Sequence, residues 1–199
     1  MEQKKKTLRI DGKTIFLRDL KKSDATNEYM NWLNSKKINQ FLESRFTKHS
    51  IVDIENYIKK MNHDADIIFL AIIRKDNQKH IGNIKLGPIN WDHKYAEIGI
   101  MIGDKNSWGK GFASEAIKLI SDFGFNTLKL HKITAGIYEV NIGSIKAFLK
   151  AGFFIEGIRF NQFFLKGKYV NHILLAKMKN FDKNSINKLK NSTIQSYNL

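Results

Sequence analysis

The sequence predicts a mixed α/β fold of the α+β type, in which helices cover a single sheet. Two observations lead to this class. Segments with the apolar pattern of strands alternate with segments of helical spacing, in the order hairpin, two helices, three strands, helix, strand, helix and two strands. The 199 residues, 42% of them hydrophobic and 12% aromatic, are also enough for one domain with a sizeable core.

The opening part of the chain is predicted to form a hairpin followed by two helices. Asp11-Gly12 is a hairpin-turn signal between two short strand-like segments, residues 7–10 and 14–17. Ser23 is a suitable N-cap for a helix that ends near residue 34. Ser50 and Asp53 form a capping-box pair, and the apolar residues that follow have mostly helical spacing.

The rest of the chain contains six further strand candidates and two further helix candidates. The strand candidates are residues 66–74, 80–86, 95–102, 132–138, 153–164 and 169–178. The helix candidates are residues 112–127 and 144–150, the second closed by Gly152. The last two strands are expected to pair as a hairpin around Lys166-Gly167.

The domain is expected to cover residues 7–179, between a flexible N-terminus at residues 1–6 and a polar C-terminal tail at residues 180–199. The first residues include lysines but no apolar segment behind them, which is unlike a secretory signal. No apolar run approaches the roughly 18 residues that a membrane span needs. We therefore expect a soluble, cytoplasmic protein without a membrane partner.

The charge balance is strongly basic, with 34 Lys and Arg against 19 Asp and Glu and a net charge of +15. A basic body attracts anions such as the phosphates of CoA, a nucleotide or ribosomal RNA. Lysines scattered over a solvated surface would give the same count, and the sequence leaves both interpretations open. The absence of cysteine excludes disulfides and a cysteine nucleophile. The six histidines have no metal-ligand spacing, so no metal is expected.

The most informative stretch is a strand that leads through a glycine-containing turn into a helix. A helix N-terminus binds anions, and Gly109 and Gly111 would let a phosphate approach the backbone closely. The spacing from Gly103 does not fit a P-loop, and Ser114 stands where a dinucleotide fingerprint needs a glycine. Taken alone, the stretch is read as an ordinary strand-to-helix connection.

Two motifs together resemble the GNAT superfamily of acetyltransferases. Asn106-Ser-Trp-Gly109-Lys-Gly111 matches its Gln/Arg-x-x-Gly-x-Gly/Ala signature apart from the first residue, and Asn141-Ile-Gly-Ser144 with Gly152-Phe153 resembles its second motif. Glu156-Gly157 and the closing hairpin further resemble the RimJ/RimL-like and spermidine acetyltransferase branch. The resemblance covers roughly residues 7–178. It implies a mixed, mostly antiparallel sheet of about seven strands, splayed at the centre, with about four helices.

The resemblance also implies acetyl-CoA as the co-substrate and assigns residues to it. Backbone amides of the turn would hold the CoA pyrophosphate; these residues are Ser107, Trp108, Gly109, Lys110, Gly111 and Phe112. The open edge of the central strand would pair with the pantetheine arm at Gly99, Ile100 and Met101. Asn141 is expected to hydrogen-bond the same arm, and it also fits as a helix cap.

Acetyl transfer to an amine needs a proton acceptor, because a lysine-like ammonium has a pKa of about 10.4. Glu97, on the strand beside the implied thioester, is the candidate base; a solvent-facing surface glutamate is the alternative. Glu115, in the following helix, is expected to be a solubilising or capping residue. Phe148 stands where many family members carry a tyrosine acid. The RimL-type pattern implies Ser144 instead, three residues after Asn141, as the residue that orients or protonates the leaving sulfur, with an ordinary helix-start serine as the alternative.

The sequence thus predicts an acetyl-CoA-dependent N-acetyltransferase that modifies a primary amine. A nucleotide-linked amino sugar is one expected acceptor, because a basic groove suits a diphosphate and the segment 32–46 could shape a small-molecule site. A protein N-terminus, as in ribosomal-protein acetylation, is the other. Polyamines are expected less, because a protein of charge +15 repels polycations. The alternative function is a non-catalytic CoA- or nucleic-acid-binding module; nucleic acid is the less favoured partner, and a homodimer is left open.

Overall fold

The chain opens with a hairpin of β1 (Arg9–Asp11) and β2 (Ile15–Asp19), joined by the turn that the sequence predicts. In this computed structural model, which describes residues 8–180, the amide of Gly12 donates to the Ile15 carbonyl at 2.9 Å. The expected N-terminus at residues 1–6 lies outside the described residues, as does the expected tail at residues 180–199 apart from its first residue.

Three helices follow the hairpin: α1 (Asn27–Asn34), the single turn α2 (Lys36–Asn39) and α3 (Ile51–His63). The prediction that Ser23 caps the first helix is wrong. Residues 22–24 form a separate 3-10 turn, because the Asp24 carboxylate binds Arg18 and the Lys21 amide, each at 2.7 Å. The helix begins only after Thr26, whose hydroxyl accepts from the Tyr29 amide at 3.2 Å.

The N-terminus of α3 is the capping box that the sequence predicts. The amide of Ser50 donates to the Asp53 carboxylate at 2.8 Å, and the Asp53 amide donates back to the Ser50 hydroxyl at 3.2 Å. Two N–H groups that no helical carbonyl could accept are thereby satisfied.

The remaining elements agree with the predicted segments to within two residues at each end. The strands are β3 (Ile68–Arg74), β4 (His80–Leu86), β5 (Tyr95–Ile102), β6 (Lys132–Tyr138), β7 (Phe154–Leu165) and β8 (Lys168–Met178). The helices are α4 (Phe112–Asn126) and α5 (Ile142–Lys150). The described residues form one sheet of eight strands in the order β1-β2-β3-β4-β5-β6-β8-β7. All neighbouring pairs are antiparallel except β5 and β6, which are parallel.

The parallel pair at the centre of the sheet separates soon after it begins. Its ladder consists of Tyr95–Lys132, Ala96–Ile133 and Glu97–Thr134, after which β5 and β6 continue without pairing to each other. On its other side β5 stays paired to β4 as far as Ile102. This gap, which we call the seam, confirms the predicted splay at the centre of the sheet.

Each face of the sheet packs against different helices. On one face, buried residues of α4 and α5 join Ala96 and Ile98 of β5 in the larger core cluster. On the other face, α1 and α3 supply Tyr29 and Ile54 to a second cluster; we call this the α1/α3 face. Because side chains alternate along a strand, Glu97 and Gly99 lie on the α1/α3 face.

Candidate active site

The turn between β5 and α4 requires two glycines. Gly109 has φ 74° and Gly111 has φ 85°, in the left-handed region that favours glycine. A Cβ built on either residue would find no heavy atom within 4 Å. The backbone here therefore borders open space, which agrees with a site where a ligand can approach the main chain.

The amides of this turn fall into two groups. Those of Ser107 and Trp108 donate to the carbonyls of Asp104 and Lys105, at 3.0 and 3.1 Å, so they are already used within the protein. For Gly109, Lys110 and Gly111 the structure records no such bond within residues 8–180. The first bond of α4 runs from the Glu115 amide to the Gly111 carbonyl at 3.0 Å, so the amides of its first turn also lack helical partners.

Side chains of the turn anchor it to the end of the sheet. The indole of Trp108 donates to the Ile102 carbonyl at 2.8 Å, at the last residue of β5. The Ser107 hydroxyl donates to the buried Asp104 carboxylate at 2.5 Å, and Lys79 lies 3.4 Å from that carboxylate. Burial raises the pKa of Asp104, but these two partners outweigh it, and the pKa is lowered. The Phe112 side chain lies in the core, so only its backbone faces the turn.

A second helix N-terminus lies on the other side of the seam. Because β5 and β6 are parallel and lead into α4 and α5, both helices begin at the same edge of the sheet. Asn141 caps α5, and its side-chain oxygen accepts from the Ser144 amide at 3.3 Å. Phe148 is buried and packs edge-to-face on Phe153 with the ring centroids 5.0 Å apart. No proton donor therefore comes from that position.

Glu97 lies at the point where the seam opens. It pairs in register with Thr134, the last β6 residue of the short ladder, and it is exposed on the α1/α3 face. Glu97 and Thr134 line a cavity together with Tyr95 and residues 88–90. After Ile98, β5 continues with Gly99, Ile100 and Met101, and a Cβ on Gly99 would meet nothing within 4 Å.

Aromatic side chains extend the α1/α3 face beyond the seam. The ring of Tyr138 stacks on Phe163 with the centroids 4.1 Å apart, and its hydroxyl donates to the Glu43 carboxylate at 2.6 Å. Burial and the adjacent Glu43 raise the pKa of Tyr138, which makes this phenol a poor acid at neutral pH. Arg45 lies 3.4 Å from Glu43. Part of the segment 32–46 thus lies against this face.

His172 is a residue of this face that sequence reasoning missed. It pairs in register with Tyr138, and its ring lies 4.7 Å from that of Phe163. A Cβ on Gly136 would lie 2.0 Å from its Nε2 atom. The alternation of β8 could have placed the histidine opposite the buried side chains, but only the folded structure shows that it lies near enough to Glu97 to be affected by that charge.

Comparison with known proteins assigns the family. Residues 14–154 match the family model of the acetyltransferase (GNAT) domain. The chain is 33% identical over 174 residues to the probable N-acetyltransferase YjcK of Bacillus subtilis, covering 84% of this chain and 95% of the relative. It is 29% identical over 163 residues to the spermidine N(1)-acetyltransferase of Escherichia coli K12, covering 82% and 85%.

A solved structure agrees with this assignment. The spermidine N-acetyltransferase of Vibrio cholerae, in complex with CoA and spermine, matches with a TM-score of 0.74 at 27% identity, covering 83% of this chain and 96% of that one. The chain therefore belongs to the GNAT acetyltransferase family. It is an N-acetyltransferase with acetyl-CoA as the acetyl donor.

The described part of the chain has neither a membrane-spanning helix nor a cluster of metal ligands. None of the helices within residues 8–180 has the length and hydropathy of a bilayer span. In the same part of the chain, no group of histidine, aspartate and glutamate side chains is placed to hold a metal ion.

Proposed function

We propose that this enzyme acetylates the primary amine of a small molecule at the seam. Acetyl-CoA would enter at the edge where α4 and α5 begin, and the amine would approach from the α1/α3 face. The observation that carries the proposal is the separation of β5 from β6 directly after Glu97. Beyond the exposed carboxylate of Glu97, this separation leaves one edge of β5 open. At the far end of the seam, the first amides of α4 have no helical partners.

The geometry narrows the group of residues that would hold CoA. The amides of Gly109, Lys110, Gly111 and Phe112 are the donors proposed for the pyrophosphate, because a helix N-terminus with free N–H groups favours phosphate. Ser107 and Trp108 would act by anchoring the turn, since their amides already have acceptors. The pantetheine arm would pair with the edge at Gly99, Ile100 and Met101, and Asn141 would approach it from the α5 side.

The chemistry that we propose begins with proton transfer to Glu97. The ammonium gives one proton to this carboxylate, and the freed lone pair attacks the thioester carbonyl carbon. A main-chain N–H near Ile100 or Met101 would stabilise the oxyanion. When the C–S bond breaks, the second nitrogen proton can pass to the thiolate, and Ser144 would orient the sulfur. This route needs no tyrosine at the position of Phe148.

We infer that the acceptor is a small aliphatic polyamine of the spermidine type. Two carboxylates, Glu97 and Glu43, lie on the α1/α3 face beside the stacked rings of Tyr138 and Phe163. Carboxylates and aromatic faces both attract ammonium groups. The spermidine acetyltransferases among the relatives support the same class. The expectation against polyamines used the net charge, but exposed charges more than about 10 Å away are largely screened.

A nucleotide-linked amino sugar is the second candidate acceptor. Arg45 lies at the border of the α1/α3 face, and Arg159 pairs in register with His172 on the same side of the sheet. Guanidinium groups are suited to bind a diphosphate.

A protein N-terminus stays a prediction of the sequence resemblance alone. The Lys166 ammonium lies 3.3 Å from the amide oxygen of Gln40, the residue that follows α2. This contact between the β7–β8 turn and the end of α2 leaves less room for a peptide on the α1/α3 face.

An acceptor panel tests the proposal. The full chain would be incubated with acetyl-CoA and spermidine, a UDP-linked amino sugar or N-terminal peptides, with thiol release and product mass as readouts. We expect spermidine to give the largest kcat/KM. Preference for the amino sugar would replace the first candidate by the second. No thiol release with any amine would refute the proposed activity.

A variant that removes one negative charge from the α1/α3 face tests whether the acceptor is a polyamine. Glu43→Gln is expected to raise KM for spermidine at least threefold, because it removes one carboxylate from the α1/α3 face. Glu55→Gln is the matched control, since the Glu55 carboxylate on α3 pairs with the exposed Lys22 at 3.3 Å and neither residue belongs to the proposed site. Equal KM values for the two variants would argue against a polyamine site here.

A further inference from the structure

The imidazole of His172, on β8, lies over β6 at Gly136. Its Nε2 atom stands where a side chain at position 136 would begin, so the ring fits only because residue 136 is glycine. Gly136 follows Thr134, the last β6 residue paired to β5, by two positions. The ring therefore lies beside the part of the seam where the two strands have separated.

The two ring nitrogens of His172 have different surroundings. Nδ1 is buried and, within the described residues, has no hydrogen-bond partner. A buried N–H without an acceptor is costly, whereas an unpaired lone pair is tolerated more readily. The neutral ring should therefore carry its proton on Nε2, the nitrogen that lies over Gly136.

Charged groups from several elements face this ring. Glu97 comes from β5, Glu43 from the turn before α3, and Arg159 from β7, while the phenol of Tyr138 lies beside the ring on β6. Burial and then Arg159 lower the pKa of His172, against the opposite effects of Glu97, Glu43 and a hydrogen bond with the Gly136 main chain. The net shift is downward, which keeps the imidazole uncharged at neutral pH.

We propose that His172 donates a hydrogen bond from Nε2 to the acetyl carbonyl oxygen of acetyl-CoA. This inference rests on the proposed binding of the thioester in the seam. When the amine nitrogen bonds to the carbonyl carbon, the carbonyl π electrons move to oxygen, and the Nε2–H stabilises that charge. On collapse the C–S bond breaks and the Nε2 proton stays on the ring. The two nitrogen protons leave to Glu97 and the thiolate, so His172 begins and ends each cycle neutral.

An uncharged imidazole is well suited to this role. Neutral histidine acts as an electrophile in enzymes whose structure prevents it from becoming imidazolium. A donor that is already in place where charge develops needs no reorganisation during the reaction. The buried, unpartnered Nδ1 favours the uncharged ring, because it disfavours a second ring proton.

Two substitutions separate a hydrogen-bonding role from a packing role. His172→Phe keeps a ring next to Phe163 but removes the donor, and His172→Gln keeps an N–H donor. We expect kcat of His172→Phe to fall by about 10²–10³-fold, the usual cost of an oxyanion donor, with little change in acceptor KM or CoA affinity. His172→Gln should recover at least tenfold of that loss.

The outcomes that overturn the inference are distinct. A wild-type kcat in His172→Phe would refute it. A change confined to acceptor KM would reassign His172 to acceptor binding, and equal losses in both variants with reduced thermal stability would mark a packing role. His93→Gln, in the exposed loop before β5, is the control for removing a histidine.

Two measurements do not depend on turnover. The ¹⁵N shifts of His172 should report the neutral tautomer with the proton on Nε2, and a proton on Nδ1 would contradict the inference. A methyl-ketone analogue of acetyl-CoA should bind wild type about threefold to tenfold more tightly than the carbonyl-free thioether, as one hydrogen bond allows. His172→Phe should lose that preference. If wild type turns over no amine, the proposed function fails, while this binding difference still decides the role of His172.

Discussion

At the scale of single residues, the turn before α4 depends on backbone conformation more than on side chains. Gly111 and Gly167 have nearly the same φ, 85° and 83°, and neither would bring a Cβ within 4 Å of another atom. They differ in position, because Gly111 lies at the helix N-terminus beside the seam and Gly167 in the β7–β8 turn. This pair offers a matched test of the proposed phosphate site.

Gly111→Ala and Gly167→Ala should each lower stability by about 1 kcal/mol, the cost of a left-handed alanine. Only Gly111→Ala should weaken CoA binding, by at least tenfold in calorimetry, because its methyl group would point into the space proposed for the pyrophosphate. Equal CoA affinity in the two variants would exclude this turn as the phosphate site.

Glu97→Gln tests the proposed base. We expect kcat to fall by about 10²–10⁴-fold at neutral pH, since the amide cannot accept the ammonium proton. CoA affinity should be unchanged, because Glu97 lies at the closed end of the seam. Asp92→Asn, an exposed acid in the preceding loop, controls for the change in net charge. A variant with full activity and the wild-type pH profile would remove Glu97 from the mechanism.

Sequence motifs could point to some site residues and not to others. Gly109, Gly111 and Asn141 belong to local patterns whose geometry is set by neighbouring residues, and Glu97 follows from strand alternation. His172 and Glu43 come from distant parts of the chain and meet only through tertiary packing. No local pattern carries that information, because it depends on how β8 pairs with β6 and where the turn before α3 lies.

At the scale of elements, α4 is attached to the opening hairpin by one carboxylate. The sequence suggested that Glu115 is a solubilising or capping residue, but its side chain accepts from the Thr14 amide at 2.9 Å and also from the Thr14 hydroxyl. A Cβ on Gly12 would lie 2.4 Å from the same carboxylate, so the hairpin turn is shaped around it. Burial alone would raise the pKa of Glu115, but the hydrogen bonds from the hairpin have the larger effect. The net result is a lowered pKa.

Glu115→Gln should lower the free energy of unfolding by about 1 kcal/mol, because the amide can replace only part of these contacts. Asp122→Asn is the control on the same helix, where a surface pair with Lys118 should contribute less. Since the folded pKa of Glu115 is depressed, the difference between wild type and Glu115→Gln should be present above about pH 4.3 and shrink as the pH falls below it. A constant difference down to pH 3 would contradict the ionised contact.

Strand and helix positions were largely predictable because apolar periodicity and turn residues are local signals. The start of α1 was not, because Ser23 is as good a cap as Thr26 in sequence. Only the bond from Arg18 to Asp24 shows why the chain turns once before the helix begins. The seam itself followed from family resemblance, since no local feature of β5 or β6 reveals how far two strands stay paired.

At the scale of the whole molecule, half-buried histidines link stability to pH. His80 lies beneath α1, with its ring 5.9 Å from Tyr29 and 5.2 Å from Trp32, and its Nε2 is 2.8 Å from the Asn83 amide oxygen. Burial lowers the pKa of His80, and that of His172 is lowered as well. Between the folded and unfolded pKa values, the unfolded chain binds more protons than the folded one.

The folded state should therefore lose stability as the pH falls below about 6.5, by up to about 1.4 kcal/mol per pH unit from His80 and by less from His172, whose charge solvent screens more strongly. Urea unfolding between pH 7.5 and 5 measures this slope. His80→Gln should flatten it, whereas His93→Gln should leave it as in wild type. An unchanged slope in His80→Gln would show that the titrating group lies elsewhere.

The short ladder between β5 and β6 has one more consequence. β5 remains paired to β4 as far as Ile102, but beyond Glu97 its other edge has no partner strand among the described residues. A co-substrate whose arm carries amides can occupy the seam and form hydrogen bonds with β5 as a neighbouring strand would. The sheet would then gain a strand-like neighbour when the co-substrate binds and lose it when the product leaves in each catalytic cycle. Hydrogen exchange of the β5 amides should slow when the co-substrate is bound and become faster when it dissociates.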